Sequence, residues 1–155
     1  MRLGRRTIGA ITGAAATLVC AGSAYVRWYD GRAPHELPIT QLVRAGEDGV
    51  ASGYWESVAA PLAVLGAVGV LGGLVRSRLL LGLAWLTGVA TIALWWIMRL
   101  IGQATDQAPP DATLDYGRWL CVGGLVLLLI GIAVMGPRRE EVEAPLSVFD
   151  DEPPE

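Results

Sequence analysis

The chain lacks lysine altogether, and it has only one histidine and two cysteines among its 155 residues. A metal site built on His35 would need cysteine or carboxylate partners at matched spacing, but the sequence has no CxxC motif, HExxH motif or second histidine. The GxGxxG, P-loop and GxSxG motifs are also missing. These absences exclude conventional nucleotide and hydrolase sites, so we expect a non-enzymatic protein without a metal or a cofactor.

Four long apolar stretches contain no acidic residue, lysine or histidine, and they span residues 7–26, 58–75, 79–101 and 120–136. At about 1.5 Å per helical residue, each can reach across, or nearly across, a hydrocarbon core of about 30 Å. We therefore predict an all-α, polytopic membrane protein, a bundle of four transmembrane helices with a partly ordered first extracytoplasmic loop. The lack of such ionisable groups within the spans argues against a secondary transporter that works alone.

The arginines predict the direction of the helices. Seven flank short segments on one side, namely Arg2, Arg5, Arg6, Arg76, Arg78, Arg138 and Arg139. Five others lie on the opposite side, in longer regions that also contain eight acids. Because arginine-rich short segments stay in the cytoplasm, we predict a plasma-membrane protein with both termini inside. A cleavable signal peptide begins similarly, but the first apolar run reaches Val26, which favours an uncleaved helix.

This topology divides the chain into nine segments. They are a cytoplasmic N-terminus (1–6), a first transmembrane helix (7–26), an outer loop (27–57), a second helix (58–75), an inner turn (76–78), a third helix (79–101), a second outer loop (102–119), a fourth helix (120–136) and a disordered acidic cytoplasmic tail (137–155). The second helix begins either at 58, with Ser57 as its cap, or at 52–55 with a kink at Pro61. The tail has seven acids and no base over 140–155, a composition that cannot bury enough apolar surface to fold alone.

Small residues recur at helical spacing in the first two apolar stretches. Gly9 and Gly13 form one Gly-x-x-x-Gly pair, and Gly69 and Gly73 form another. Such pairs let helix backbones approach closely in lipid, so these four glycines are candidate helix-packing positions. The alternative is coincidence, since a chain with 20 glycines shows several such spacings by chance.

The two cysteines lie in the outer halves of different predicted helices. Cys20 is near the outer end of the first helix, and Cys121 is near the outer start of the fourth. If these helices are neighbours, the two residues are candidates for a disulfide in an oxidising compartment. The alternative is that they are two separate small apolar side chains.

The first outer loop is the best candidate for binding a partner, because loops on a rigid scaffold often carry function. Its candidate residues are Trp28, Asp30, Arg32, His35 and Glu36. Asp30-Gly31 predicts a turn, and Thr40 is a candidate cap for a short helix through Ala45. Nine of the ten tryptophans and tyrosines lie at the predicted outer boundary, where they are typical interfacial anchors. A sharper alternative is an aromatic pocket for an apolar ligand or a quinone.

The sequence has no basic patch of the kind that binds nucleic acid. The expected partners are the lipid bilayer and either another membrane protein or a second copy of the chain. Our leading hypothesis is an accessory, assembly or scaffolding subunit that acts by binding. The alternatives are a small transport or channel component and, behind it, a membrane thiol- or quinone-linked redox protein that uses Cys20 and Cys121.

The layout resembles that of small four-helix membrane proteins of unknown function from high-GC Gram-positive bacteria, including those called tryptophan-associated membrane proteins. The resemblance covers the helix count, the short inner turn, the longer first outer loop and the six tryptophans. The exclusive use of arginine as the basic residue indicates a high-GC coding bias as well. The resemblance implies a four-helix membrane fold, and since it matches no diagnostic motif it transfers no functional residue.

Overall fold

The computed structural model describes residues 4–45, 49–105 and 115–136, and these contain four α-helices. They are α1 (Arg5–Gly22), α2 (Ala59–Leu74), α3 (Arg78–Ala104) and α4 (Gly117–Val134). Only short 3-10 helices and two isolated bridges accompany them within the described residues, so the all-α prediction is confirmed there. The predicted disordered acidic tail lies outside the described residues.

Three helical segments are long and apolar enough to cross a membrane. They are Arg5–Tyr25, which includes a 3-10 turn after α1, Arg78–Ala104 and Gly117–Val134. The remaining helix, α2, is equally apolar in character but has only 16 residues. The predicted membrane location therefore rests on three helices of sufficient length.

The start of α2 shows which sequence alternative holds. Ser57 has an extended backbone, with φ −103° and ψ 163°, and it separates a 3-10 turn over Tyr54–Glu56 from α2. Its hydroxyl oxygen accepts a hydrogen bond from the Ala59 N–H at 3.2 Å. Pro61 falls in the first turn of α2, where a missing N–H costs nothing. A helix that begins at 52–55 and kinks at Pro61 is thus not formed.

The helices pack mainly through α1, which contacts both α4 and α2, while α2 packs against α3. A Cβ added at Gly9 would lie 2.6 Å from Met135 Cγ and 2.7 Å from the Gly131 carbonyl oxygen on α4. Gly13 faces Leu81 and Leu128 in the centre of the bundle. No larger side chain fits at Gly9 without moving a backbone, which is the close approach that small residues permit.

The second glycine pair lies on the other side of α1. A Cβ at Gly69 would come within 2.6 Å of Thr17 Cβ, and one at Gly73 within 2.7 Å of Ala14 Cβ. The structure therefore places all four candidate packing glycines in contacts between helices. Gly9 lies against α4, Gly13 at the centre, and Gly69 and Gly73 against α1.

Large apolar side chains cover the outside of the bundle. Leu18, Leu71, Leu74, Leu79, Leu86 and Val126 are among those more than half exposed. Soluble monomers rarely expose apolar surface so continuously, whereas a lipid-facing surface has this composition. Small residues at the contacts between helices and large apolar residues on the outer surface are the arrangement that helix packing in a bilayer predicts.

The two ends of the bundle have different connections. The loop end carries the chain between α1 and α2 and the residues that precede α4. The turn end carries the α2–α3 turn over 75–77, the start of α1 and the end of α4.

Candidate functional site

A buried tryptophan organises the loop end. Trp28 is 0% exposed, and its indole N–H donates to the Ser23 carbonyl oxygen at 3.0 Å. Its ring meets the Trp95 ring of α3 edge to face, with centroids 5.8 Å apart. Leu37 and Val58 are fully buried beside Trp95. The loop thus has an apolar core of its own, seated on α3.

A tight turn follows Trp28. Asp30 and Gly31 have φ of +48° and +74°, the pair of positive values that a type I′ turn requires and that Asp-Gly favours. Tyr29 and Arg32 pair across it. The Gly31 N–H donates to the Asp115 carboxylate at 3.0 Å, and the Asp115 N–H donates to the Trp28 carbonyl at 3.1 Å. The turn predicted from Asp30-Gly31 is confirmed, and it is tied to the residue that precedes α4.

Backbone hydrogen bonds also join the two halves of the loop. The Val58 N–H donates to the Leu37 carbonyl at 2.9 Å, and the Ala51 N–H donates to the Glu36 carbonyl at 2.9 Å. The predicted helix from Thr40 to Ala45 is wrong. A single 3-10 turn over Ile39–Leu42 takes its place, and the Thr40 hydroxyl is buried without a hydrogen-bond partner among the described residues. The turn stops because Val43 leaves helical geometry, with φ −127°.

Four aromatic rings, three of them exposed, form a continuous strip on this loop. His35 and Tyr25 have ring centroids 5.5 Å apart, Tyr25 and Tyr54 are 6.5 Å apart, and Tyr54 and Trp55 are 5.8 Å apart. Tyr25 is 65% exposed and Trp55 is 72% exposed. We call Tyr25, His35, Tyr54 and Trp55 the aromatic strip. Partial burial and the neighbouring Tyr25 raise the pKa of the Tyr54 phenol.

The predicted loop residues divide between the interior and the surface. Trp28 is fully buried, so its prediction as a partner-binding residue is corrected: the indole belongs to the main core of the bundle and packs beside Gly117 at the start of α4. Asp30 is exposed at the turn, and Arg32 is half-buried and has interactions of its own. His35 is half-buried, with Nδ1 3.2 Å from the Ala24 carbonyl oxygen. Glu36 is exposed and accepts a hydrogen bond from the Ala33 N–H at 2.9 Å.

Sequence reasoning placed Tyr25, Tyr54 and Trp55 among the interfacial anchors and did not group them with His35. The clustering of rings on both sides of the loop was visible in the sequence. Their mutual contact was not, because it depends on the loop folding back until Tyr54 reaches Tyr25.

Two arginines lie among the other rings of the loop end. The Arg99 guanidinium stands 3.7 Å from the centre of the Tyr29 ring. Arg118 lies 5.5 Å from the Trp96 ring centre and 5.2 Å from that of Trp119. Such cation–π contacts let a cation remain beside apolar surface.

Cys20 and Cys121 are neighbours across the α1–α4 contact, as a pairing would require, and the candidate disulfide stays a prediction. Both residues are fully buried free thiols. The Cys20 thiol lies 3.5 Å from the Cys121 carbonyl oxygen, to which it donates. They act as small side chains at the α1–α4 contact, where a Cβ at Gly124 would come within 2.5 Å of Cys20 Sγ.

Comparisons with known proteins add no functional assignment. No family model matches the chain, and searches of curated proteins and of solved structures find no similar protein. Within the described ranges, no three His, Cys, Asp or Glu side chains come together. The loop end offers a strip of aromatic rings, of which Tyr25 and Trp55 are largely exposed.

Proposed function

We propose that this chain is a plasma-membrane protein that crosses the bilayer four times, with its loop end outside and both termini in the cytoplasm. The 16 residues of α2 span about 24 Å at 1.5 Å per residue. Val58 and Val75 extend that apolar length at either end. Arg5, Arg6 and the two arginines beside the α2–α3 turn support a cytoplasmic turn end.

We propose further that the protein acts by binding rather than by catalysis, as an accessory or assembly subunit of a membrane complex. The observation that carries this proposal is the aromatic strip. Exposed tyrosine and tryptophan on a preorganised surface are enriched among residues that dominate binding energy. The loop that holds them is fixed by its own buried core, so little conformational entropy is lost on association. The partner is another membrane protein that presents an extracytoplasmic apolar surface.

A pore through a single copy fits the structure less well. Leu62, Leu65, Leu81 and Leu128 are fully buried within the bundle. Conduction would require these side chains to move aside. A channel would therefore have to form between copies, and purification of the protein as a homo-oligomer with ion flux in liposomes would favour that function instead.

The test is affinity purification of the tagged protein from native membranes in mild detergent, with stoichiometry by mass spectrometry. We expect one partner in fixed ratio with the unaltered chain. Trp55→Ala together with Tyr54→Ala should weaken that association by about 30-fold, equivalent to about 2 kcal/mol for a hot spot.

The matched control is Trp119→Ala, which removes a tryptophan that is 61% exposed at the same end but outside the strip. It should retain the partner. Recovery of the chain alone, or equal retention by the strip variant and the unaltered chain, contradicts the proposal. If the variants are expressed equally and have equal thermal stability, a loss of partner binding is due to the aromatic strip and not to unfolding.

A further inference from the structure

The turn end contains a cavity of about 400 Å³ with an unusual lining. Arg6 from α1 and Arg76 and Arg78 from the α2–α3 connection converge on it, together with Ser77. Its other walls are apolar, and no aspartate or glutamate of the described residues lines it. Arg6, Arg76 and Arg78 are exposed side chains that line the same cavity, so an anion in that space would be attracted by three positive charges.

The backbone gives an independent indication that Arg76 serves a purpose other than the turn. It has φ +54°, a left-handed conformation that disfavours residues with a Cβ. The Ser77 N–H donates to the Gly72 carbonyl at 2.8 Å, which makes this the helix-ending position that glycine usually occupies. At the same end, α4 is followed by Gly136 at φ +65°. Arg76 occupies a left-handed backbone conformation that glycine would adopt with less strain. The presence of a side chain at this position therefore points to a role for that side chain.

The cavity is open to apolar surface as well as to solvent. Val75 and Leu79 line it and are 69% and 86% exposed. Met135 contributes a third apolar wall. Cations beside exposed apolar walls complement an amphiphile with an anionic head better than they complement a small inorganic ion.

We propose that this cavity binds the phosphate of an anionic phospholipid in the adjacent leaflet. The three guanidinium groups hold the phosphate oxygens, as arginine does in its bidentate contacts. The Ser77 hydroxyl accepts from the Leu80 N–H at 3.5 Å and still has its own hydrogen to donate. The acyl chains lie along Val75 and Leu79. This inference rests on the proposed membrane location, with the turn end at a bilayer surface, and it does not depend on the partner.

The experiment is native mass spectrometry of the full-length protein in mild detergent with equal amounts of phosphatidylglycerol and phosphatidylcholine. We expect the unaltered chain to retain phosphatidylglycerol at least tenfold more than phosphatidylcholine. Arg6→Gln with Arg78→Gln should reduce that preference to twofold or less. The control, Arg5→Gln with Arg44→Gln, removes the same charge at exposed positions outside the cavity lining and should keep the preference.

Retention of the preference by R6Q/R78Q, or an equal loss in the control, overturns the proposal, since bulk charge would then explain the binding. Competition separates the two sources of phosphate. Inorganic phosphate or glycerol phosphate at millimolar concentration should leave the lipid in place, and displacement by either would overturn the assignment to a lipid.

Arg76→Gly distinguishes a binding role from a structural one. Without lipid, this variant should unfold at a higher temperature than the unaltered chain because the strain is gone. Its preference for phosphatidylglycerol should nevertheless fall at least threefold, and an unchanged preference would remove Arg76 from the site. Lipid selectivity and partner recovery are separate readouts. If the unaltered chain shows no preference for phosphatidylglycerol but still recovers a partner, only the lipid-site inference is overturned. If it shows the preference but recovers no partner, only the accessory-subunit proposal is overturned.

Discussion

The loop end and the turn end of the bundle differ in the length of their connections and in the contacts that stabilise them. The chain between α1 and α2 runs through 36 residues over 23–58, and its Leu37, Leu42 and Val58 form a small core against Trp95 of α3. The turn between α2 and α3 spans only 75–77, and it is closed by backbone hydrogen bonds and by the Ser77 hydroxyl, which caps α3. The long connection can therefore present a shaped surface, whereas the short one presents charge. The difference shows how one bundle can offer two chemically distinct faces.

The largest expected effect comes from removing the buried indole at the loop end of the bundle core. Trp28→Ala leaves a cavity under a fully buried indole, and we expect the free energy of unfolding to fall by about 3–5 kcal/mol. Denaturation from mild detergent with increasing SDS measures it. Trp55→Ala, at an exposed position, should change the free energy by less than about 0.5 kcal/mol. Equal effects of the two substitutions would mean that the Trp28 indole is not packed in the core of the bundle.

The seam between α1 and α4 connects the two ends and offers a pair of adjacent glycines for comparison. A Cβ at Gly124 would meet Cys20 Sγ at 2.5 Å and the Ala16 carbonyl oxygen at 3.1 Å, whereas nothing lies within 4 Å of one at Gly123. Gly124→Ala should lower the free energy of unfolding by about 1–3 kcal/mol. Gly123→Ala should leave it unchanged or raise it by up to about 1 kcal/mol. The same SDS titration measures the free energy of unfolding of both variants. A large loss of stability in Gly123→Ala would show that the rotation of α4 differs from that described.

At the turn end the expected effect is smaller and has the opposite sign. Arg76→Gly relieves a left-handed backbone at a residue with a Cβ, and should raise the free energy of unfolding by about 1 kcal/mol. Gly136→Ala creates the same strain after α4 and should lower it by about 1 kcal/mol. Thermal unfolding in lipid-free detergent measures both. A loss of stability in Arg76→Gly would mean that its side chain supports the fold.

The smallest effect concerns Cys20 and Cys121. Because both thiols are fully buried, a membrane-permeant maleimide should label neither in the folded protein and both after SDS denaturation. Electrophoretic mobility after denaturing alkylation should be the same with and without prior reductant. A shift on reduction would show that the two residues pair in the membrane and would revive the thiol alternative.

Local sequence rules captured the turn at Asp30-Gly31, because an I′ turn depends on two residues and on their tolerance of positive φ. They also brought out Gly69 and Gly73 as packing candidates, since small residues are the means by which helices approach closely in lipid. The same rules misplaced Trp28, since tryptophan suits a membrane boundary and a buried core equally well. They did not connect Tyr25 with Tyr54, which are 29 positions apart and meet only when the loop closes.

The sequence by itself determined the helical class and the apolar lengths, because length and hydropathy are properties of single segments. It also determined where charge is absent. Only the tertiary structure decided which face of each helix is inside, because a helix that is apolar all round has no polar side to orient it. The aromatic strip and the arginine-lined cavity belong to this second group. Each brings together residues from separate segments, and their meeting depends on helix rotation and loop closure.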